Sequence, residues 1–134
     1  MHLKRTTKLR SLDLSAIEIT DAGLLHLQGM TKLRYLYLRS TKVSGAGLVH
    51  LKGLDNLQGL SLQNSKITDA GLLYLKGITN LKGLYLNLTQ ITDAGLVHLT
   101  GLTGLQTLTL GGTKVTDSGI ADLQKALPNC KITK

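Results

Sequence analysis

Residues 19–27 read "ITDAGLLHL", and the chain repeats the phrase four more times: "VSGAGLVHL" at 43–51, "ITDAGLLYL" at 67–75, "ITDAGLVHL" at 91–99 and "VTDSGIADL" at 115–123. The step from Ile19 to Val43 recurs unchanged through Ile67, Ile91 and Val115. A fixed period in this range marks a chain of stacked copies of one unit, each too small to bury its own apolar face. Leu9, Leu33, Leu57, Leu81 and Leu105 keep the same step, and each opens a block L-x-x-L-x-L such as "LRYLYL" (33–38). The last two leucines of the block alternate with polar or aromatic residues, the period-two pattern of a short strand with one buried face.

After each strand block come a polar bend, an Ile or Val, and a hydroxyl residue: Thr20, Ser44, Thr68, Thr92 or Thr116. These are good helix N-cap residues. Asp21, Asp69, Asp93 and Asp117 follow at once, where a carboxylate favours the positive end of a helix dipole; Gly45 breaks the pattern in the second repeat. Apolar residues then recur at i, i+3 and i+6, as in Leu24, Leu27 and Met30, and share one helical face with the preceding glycine. Gly23, Gly47, Gly71, Gly95 and Gly119 are thus expected to look toward the sheet, although glycine costs about 0.5–1 kcal/mol relative to alanine in a helix. Close approach of helix and strand, or a backbone angle open only to glycine, would each explain them. Strand, helix and return to a parallel strand form one right-handed coil. Strands stack ~4.8 Å apart and helices ~8–10 Å apart, so the stack curves with strands inside. The expected fold is an α/β right-handed solenoid with short parallel strands on the concave face and helices on the convex face.

This pattern resembles the leucine-rich repeat, L-x-x-L-x-L-x-x-N/C-x-L, over essentially the whole chain. The "ITDAGL" segment is most similar to bacterial 24-residue repeats related to the cysteine-containing subclass of F-box proteins. The usual Asn or Cys is replaced by Thr41, Ser65, Thr89 and Thr113, whose hydroxyls can donate one hydrogen bond to a neighbouring turn; Ile17 in the first full repeat cannot. The repeats divide the single domain 1–134 into a partial unit at 1–8, five units at 9–32, 33–56, 57–80, 81–104 and 105–128, and a C-terminal cap strand at 129–134. Leu3 and His2 fall on the Leu27 and His26 positions, so the start reads as the edge of a larger protein. At the other end Pro128 stops a longer last helix, and Ile132 takes the leucine slot of a final strand. The resemblance implies a protein-interaction segment, and the F-box likeness substrate recruitment, although no F-box is present in this sequence.

The chain has 16 Lys and Arg against 8 Asp and Glu, one cysteine, and neither Phe nor Trp. The formal charge of +8 favours an acidic partner or surface without identifying one. Cys130 cannot form an internal disulfide, and no apolar run approaches a membrane span or a signal segment, so a cytoplasmic setting is expected.

Catalysis finds no support, because half of the acids stand at helix starts, no Ser or Cys has an identifiable base, and the glycines follow the repeat. No cofactor or small-molecule substrate is implied, and no nucleic-acid recognition motif is present. His2, His26, His50 and His98 occupy one repeat position, with Tyr74 in the same slot. Side chains one full repeat apart form a line in which two neighbours at most can meet, fewer than a zinc site needs, so the position reads as a lateral spacer. Leu25, Val49, Leu73, Val97 and Ala121 form an apolar stripe on the outer side, expected to be half covered by neighbouring helices. Lys42, Lys66 and Lys114 in the bends and Arg10, Arg34 and Lys82 at the strand starts form two basic ladders, and Lys4, Arg5 and Lys8 crowd the N-terminus.

The concave face is the candidate binding site. Tyr35, Tyr37 and Tyr85 point to it beside Arg39, Ser61, Gln63, Asn87, Thr107 and Thr109. Tyrosine and arginine are enriched at binding hot spots. Gly59 and Gly83 leave room either for a ring to lie flat or for a partner to enter. A protein partner of acidic character is the expectation. The alternatives are self-association, through the apolar stripe or an open N-terminal strand edge, and electrostatic adhesion to an anionic surface.

Overall fold

A computed structural model describes residues 8–134. His2, Leu3, Lys4 and Arg5 lie outside the described residues. Six three-residue strands, β1 (Ser11–Asp13), β2 (Tyr35–Tyr37), β3 (Gly59–Ser61), β4 (Gly83–Tyr85), β5 (Thr107–Thr109) and β6 (Lys131–Thr133), form one parallel sheet in chain order. Every rung pairs the same position of successive repeats, as in Tyr35 with Gly59 and Gly59 with Gly83. At the start of each of the first four strands one carbonyl accepts two amides of the next coil, and at the fifth Gln106 O accepts Lys131 N alone. Arg34 O takes Gln58 N at 2.7 Å and Gly59 N at 2.9 Å, and Gln58 O takes Lys82 N and Gly83 N. The ladder continues past the strands through Leu38 N to Ser61 O and Ser40 N to Gln63 O, both 2.9 Å.

The chain then turns through a residue with positive φ, again once in every coil: Ala16 (60°), Ser40 (56°), Asn64 (54°), Leu88 (60°) and Gly112 (75°). The hydroxyls of Thr41, Ser65, Thr89 and Thr113 close this bend. Each donates to the carbonyl three residues earlier in its own coil, with the first three at 2.7 Å, rather than to a neighbouring turn. These side chains satisfy a carbonyl pointing into the core, where an unpaired acceptor would cost about 1–3 kcal/mol.

The convex side carries α1 (Asp21–Leu24), α2 (Gly45–Leu48), α3 (Asp69–Leu72), α4 (Asp93–Leu96) and the longer α5 (Asp117–Ala126). Each of the first four is a single α-turn continued by a 3₁₀ turn, Leu25–Leu27 after α1 for example. The strict spacing of three in Leu24, Leu27 and Met30 suits that geometry, since 3₁₀ side chains align every third residue. All three are fully buried. Their counterparts in later coils form continuous columns with the strand leucines, such as Leu36, Leu60, Leu84 and Leu108. Each buried leucine contributes about 1.5–3 kcal/mol, so identical slots supply most of the stability. Cys130 and Leu127 close the far end of this core, and burial pushes the Cys130 thiol up from its ordinary value. Gln124 Nε2 ties α5 to the last strand by donating to Leu127 O and Cys130 O, both at 2.8 Å.

Four of the five helix-side glycines, Gly47, Gly71, Gly95 and Gly119, face the preceding coil rather than the sheet, while a Cβ on Gly23 would meet Ile19 of its own coil. A Cβ on Gly47, Gly95 or Gly119 would collide with the carboxylate of Asp21, Asp69 or Asp93 in the preceding coil. None of these glycines has positive φ, so close approach of coil to coil is the reason for them. Those aspartates reach forward to the next coil as well as capping the dipole. Asp69 Oδ1 accepts Thr92 N at 2.7 Å and Oδ2 accepts the Thr92 hydroxyl at 2.5 Å. Asp93 holds Thr116 in the same way, and Asp21 holds Ser44. The hydroxyl residues are therefore mainly donors across coils. Thr20, Ser44 and Thr68 make no side-chain cap bond, and only Thr92 and Thr116 also accept from their own helix. Gly45 offers Thr68 no carboxylate. There a Cβ on Gly45 would stand 2.6 Å from Gly71 Cα, which puts the two backbones closer than paired strands, ~4.8 Å. Such close packing on the helix side keeps the inner face shallow.

Candidate functional site

The inner face presents two rows of side chains, one above the other along the strands. The first contains Tyr35, Gly59, Gly83 and Thr107; the second contains Tyr37, Ser61, Tyr85 and Thr109. The glycines make room for rings rather than for open space. A Cβ on Gly59 would lie 2.9 Å from Tyr35 Cδ1, and one on Gly83 would lie 2.9 Å from the Tyr85 hydroxyl. Tyr35 therefore leans onto β3, its hydroxyl 3.4 Å from Gln58 Oε1, and Tyr85 folds back along its own strand. Tyr35 and Tyr37 keep 41% and 37% of their surface exposed, while Tyr85 is half-buried.

Two depressions flank Tyr37. One, of about 360 Å³, is lined by Tyr35, Tyr37, Gln58, Gly59, Lys82, Gly83, Tyr85, Gln106 and Thr107. The other, of about 260 Å³, is lined by Asp13, Ser15, Tyr37, Arg39, Ser61 and Gln63. Ser61 keeps only 7% of its surface and forms a floor between the tyrosine-bearing strands, where little of it is presented. Asp13 is held below its ordinary value, first by the side-chain hydrogen bond with Ser15, then by the Ser15 amide at 2.9 Å, with Arg39 adding attraction. Gln63 Nε2 donates to Asn87 Oδ1 at 3.0 Å, and the Thr109 hydroxyl donates to the same oxygen. These three residues orient one another, so the polar row is ordered before any partner arrives.

Gln58, Lys82, Gln106, Asp13 and Ser15 were not among the site residues expected from sequence. Their signal was present: Gln58, Lys82 and Gln106 recur once per repeat, one position before the first row. All nine expected residues lie on or beside the strands of the inner face.

Outside this face, Leu25, Val49, Leu73 and Val97 are open to solvent, from 40% exposed at Val49 to 63% at Val97. Neighbouring helices thus cover the stripe by about half, as expected, and leave the rest open because those helices are only one α-turn and one 3₁₀ turn long. Gln28 Nε2 lies 3.1 Å from His50 Nδ1, a contact between coils, and His98 Nδ1 is buried without a partner. Among the described residues no three His, Cys, Asp or Glu side chains converge. Lys42 pairs with Glu18 at 3.2 Å on the exposed bend side. No helix among the described residues is long and apolar enough to cross a membrane.

With six stacked parallel strands, a leucine column in each slot and a helical return in every coil, the chain has the α/β leucine-rich-repeat solenoid fold. Solved structures of the same architecture agree. A leucine-rich-repeat protein of Leptospira interrogans superposes with a TM-score of 0.71 at 21% identity, covering 97% of this chain and 32% of that one. An internalin, InlF of Listeria monocytogenes, gives 0.61 at 22% identity over 98% of this chain and 49% of its own. The actin-binding site 2 of leiomodin-1 gives 0.73 at 18% identity, covering 95% and 84%. The chain thus spans about a third of the Leptospira protein's length. No family model matches the sequence, and no curated protein matches it.

Proposed function

We propose that this solenoid is a non-catalytic protein-binding module, a segment of a larger protein, that engages its partner through the concave face. The observation that carries the reading is the arrangement of Tyr35, Tyr37 and Tyr85. Two of these rings are exposed, two lie against glycines, and all stand beside a self-ordered amide and hydroxyl row. A rigid aromatic surface loses little freedom on association, which leaves more of the contact energy for affinity. That a chain of similar fold is the actin-binding site of leiomodin-1 supports a protein as the ligand. The single buried cysteine is compatible with a cytoplasmic setting.

The test is capture from cell lysate, washed in high salt, by the wild-type chain and by the Tyr35→Ser, Tyr37→Ser, Tyr85→Ser variant, with the variant's fold verified by circular dichroism. A protein retained by the first and lost by the second is the expected result. Equal retention by both moves the interaction to the convex stripe, whose exposure favours self-association as the second reading. Loss of every captured protein in the salt wash points to electrostatic adhesion instead.

A further inference from the structure

We infer that the larger concave depression selects an extended partner segment in which a carboxylate side chain stands next to an apolar or aromatic one. This inference rests on the concave-face reading and specifies the chemistry of its ligand. The floor and one wall of the depression are aromatic, from Tyr35, Tyr85 and Tyr37. Its strand-start edge consists of Gln58, Lys82 and Gln106, so it holds one cation, two amides and no acid. The next residue outward on that edge is Arg34, exposed one coil before Gln58.

The distribution of acids sharpens the polarity. Of the eight acidic residues only Asp13 lies on a strand; five others are in helices and two are in connecting segments. Asp13 is already engaged by Ser15 and lies in the second depression with Arg39, which makes that depression close to charge-balanced. An apolar side chain laid on the tyrosine floor loses water against ring faces. Its acidic neighbour then meets Lys82, with Arg34 reinforcing the field. A lysine in the same place would meet like charge. The depression runs from β2 to β5, and three strand intervals of ~4.8 Å give a path of ~14 Å, which an extended segment of about four residues crosses.

The experiment pans a phage-displayed library of random 12-residue peptides on the wild-type chain. Enriched peptides are then titrated against Lys82→Glu, against Lys114→Glu as a control of equal charge change on the bend side, and against the triple tyrosine variant. The expected peptides carry Asp or Glu within two positions of an apolar or aromatic residue. They should lose about tenfold or more in affinity for Lys82→Glu, keep theirs for Lys114→Glu within about twofold, and weaken as salt rises. Enrichment of neutral or basic peptides, or equal losses with Lys82→Glu and Lys114→Glu, overturns the selectivity while leaving the face as a binding site. Peptides that bind the triple variant as well as wild type, or no peptide enriched over that variant, overturn the concave-face reading itself.

Discussion

Leu88 stands at φ 60° with 60% of its surface exposed, a conformation that a branched side chain occupies only under strain. The same turn position holds Asn64 and Gly112, both suited to left-handed backbone, together with Ala16 and Ser40. Asn64 and Gly112 carried the signal in the sequence, and the other three obscured it. Replacing Leu88 by Asn should raise stability by about 1 kcal/mol, read from the urea midpoint, because the left-handed strain falls and little buried surface is lost. A lower midpoint would mean that the Leu88 contact with Gly112 outweighs the strain. Residue identity also misleads at Ser61, which reads as a surface serine by its alternation and is in fact a covered floor. The rungs on either side carry tyrosines, and a small side chain between two large ones is overshadowed.

At the scale of the element, each helical segment is short and would be marginal alone. The inter-coil carboxylates hold these segments in place. Asp93 is kept below its ordinary value of 3.8, mainly by the Thr116 hydroxyl and then by the Thr116 amide. A carboxylate with a depressed folded-state pKa stabilises the fold above its unfolded value, and that stabilisation is lost as pH falls through the folded value. The urea midpoint of the wild type should therefore decline as pH drops below about 4. Asp93→Asn should be less stable at pH 7 and show a shallower acid decline. Superimposable pH profiles for the two chains would refute the role given to this clamp. Strands and helical turns were legible because their period of two and period of three are local. The clamp was not, because its donor and acceptor lie in successive coils and an aspartate at a helix start already has a local explanation.

For the whole molecule, stability is a sum over coils and over the interfaces between them. One interface differs, since Gly45 leaves Thr68 without the carboxylate that Ser44, Thr92 and Thr116 receive. By native-state hydrogen exchange the Thr68 amide should be about tenfold or more less protected than those three, marking the seam at which the stack opens first. Equal protection at all four would show that the tighter Gly45–Gly71 approach compensates fully. The repeat period, the leucine columns, the parallel strand order and the inner position of the tyrosines were determined by the sequence alone. They follow from local patterning, and in a solenoid every coil meets nearly the same neighbours, so a local pattern repeated is already the global fold. Only the tertiary structure decided which way the tyrosine rings fall, why glycine recurs on the helix side, whether the outer stripe is covered and which coil lacks its clamp. Those features depend on the spacing between adjacent backbones, which packing sets to within a few tenths of an ångström and no single repeat encodes.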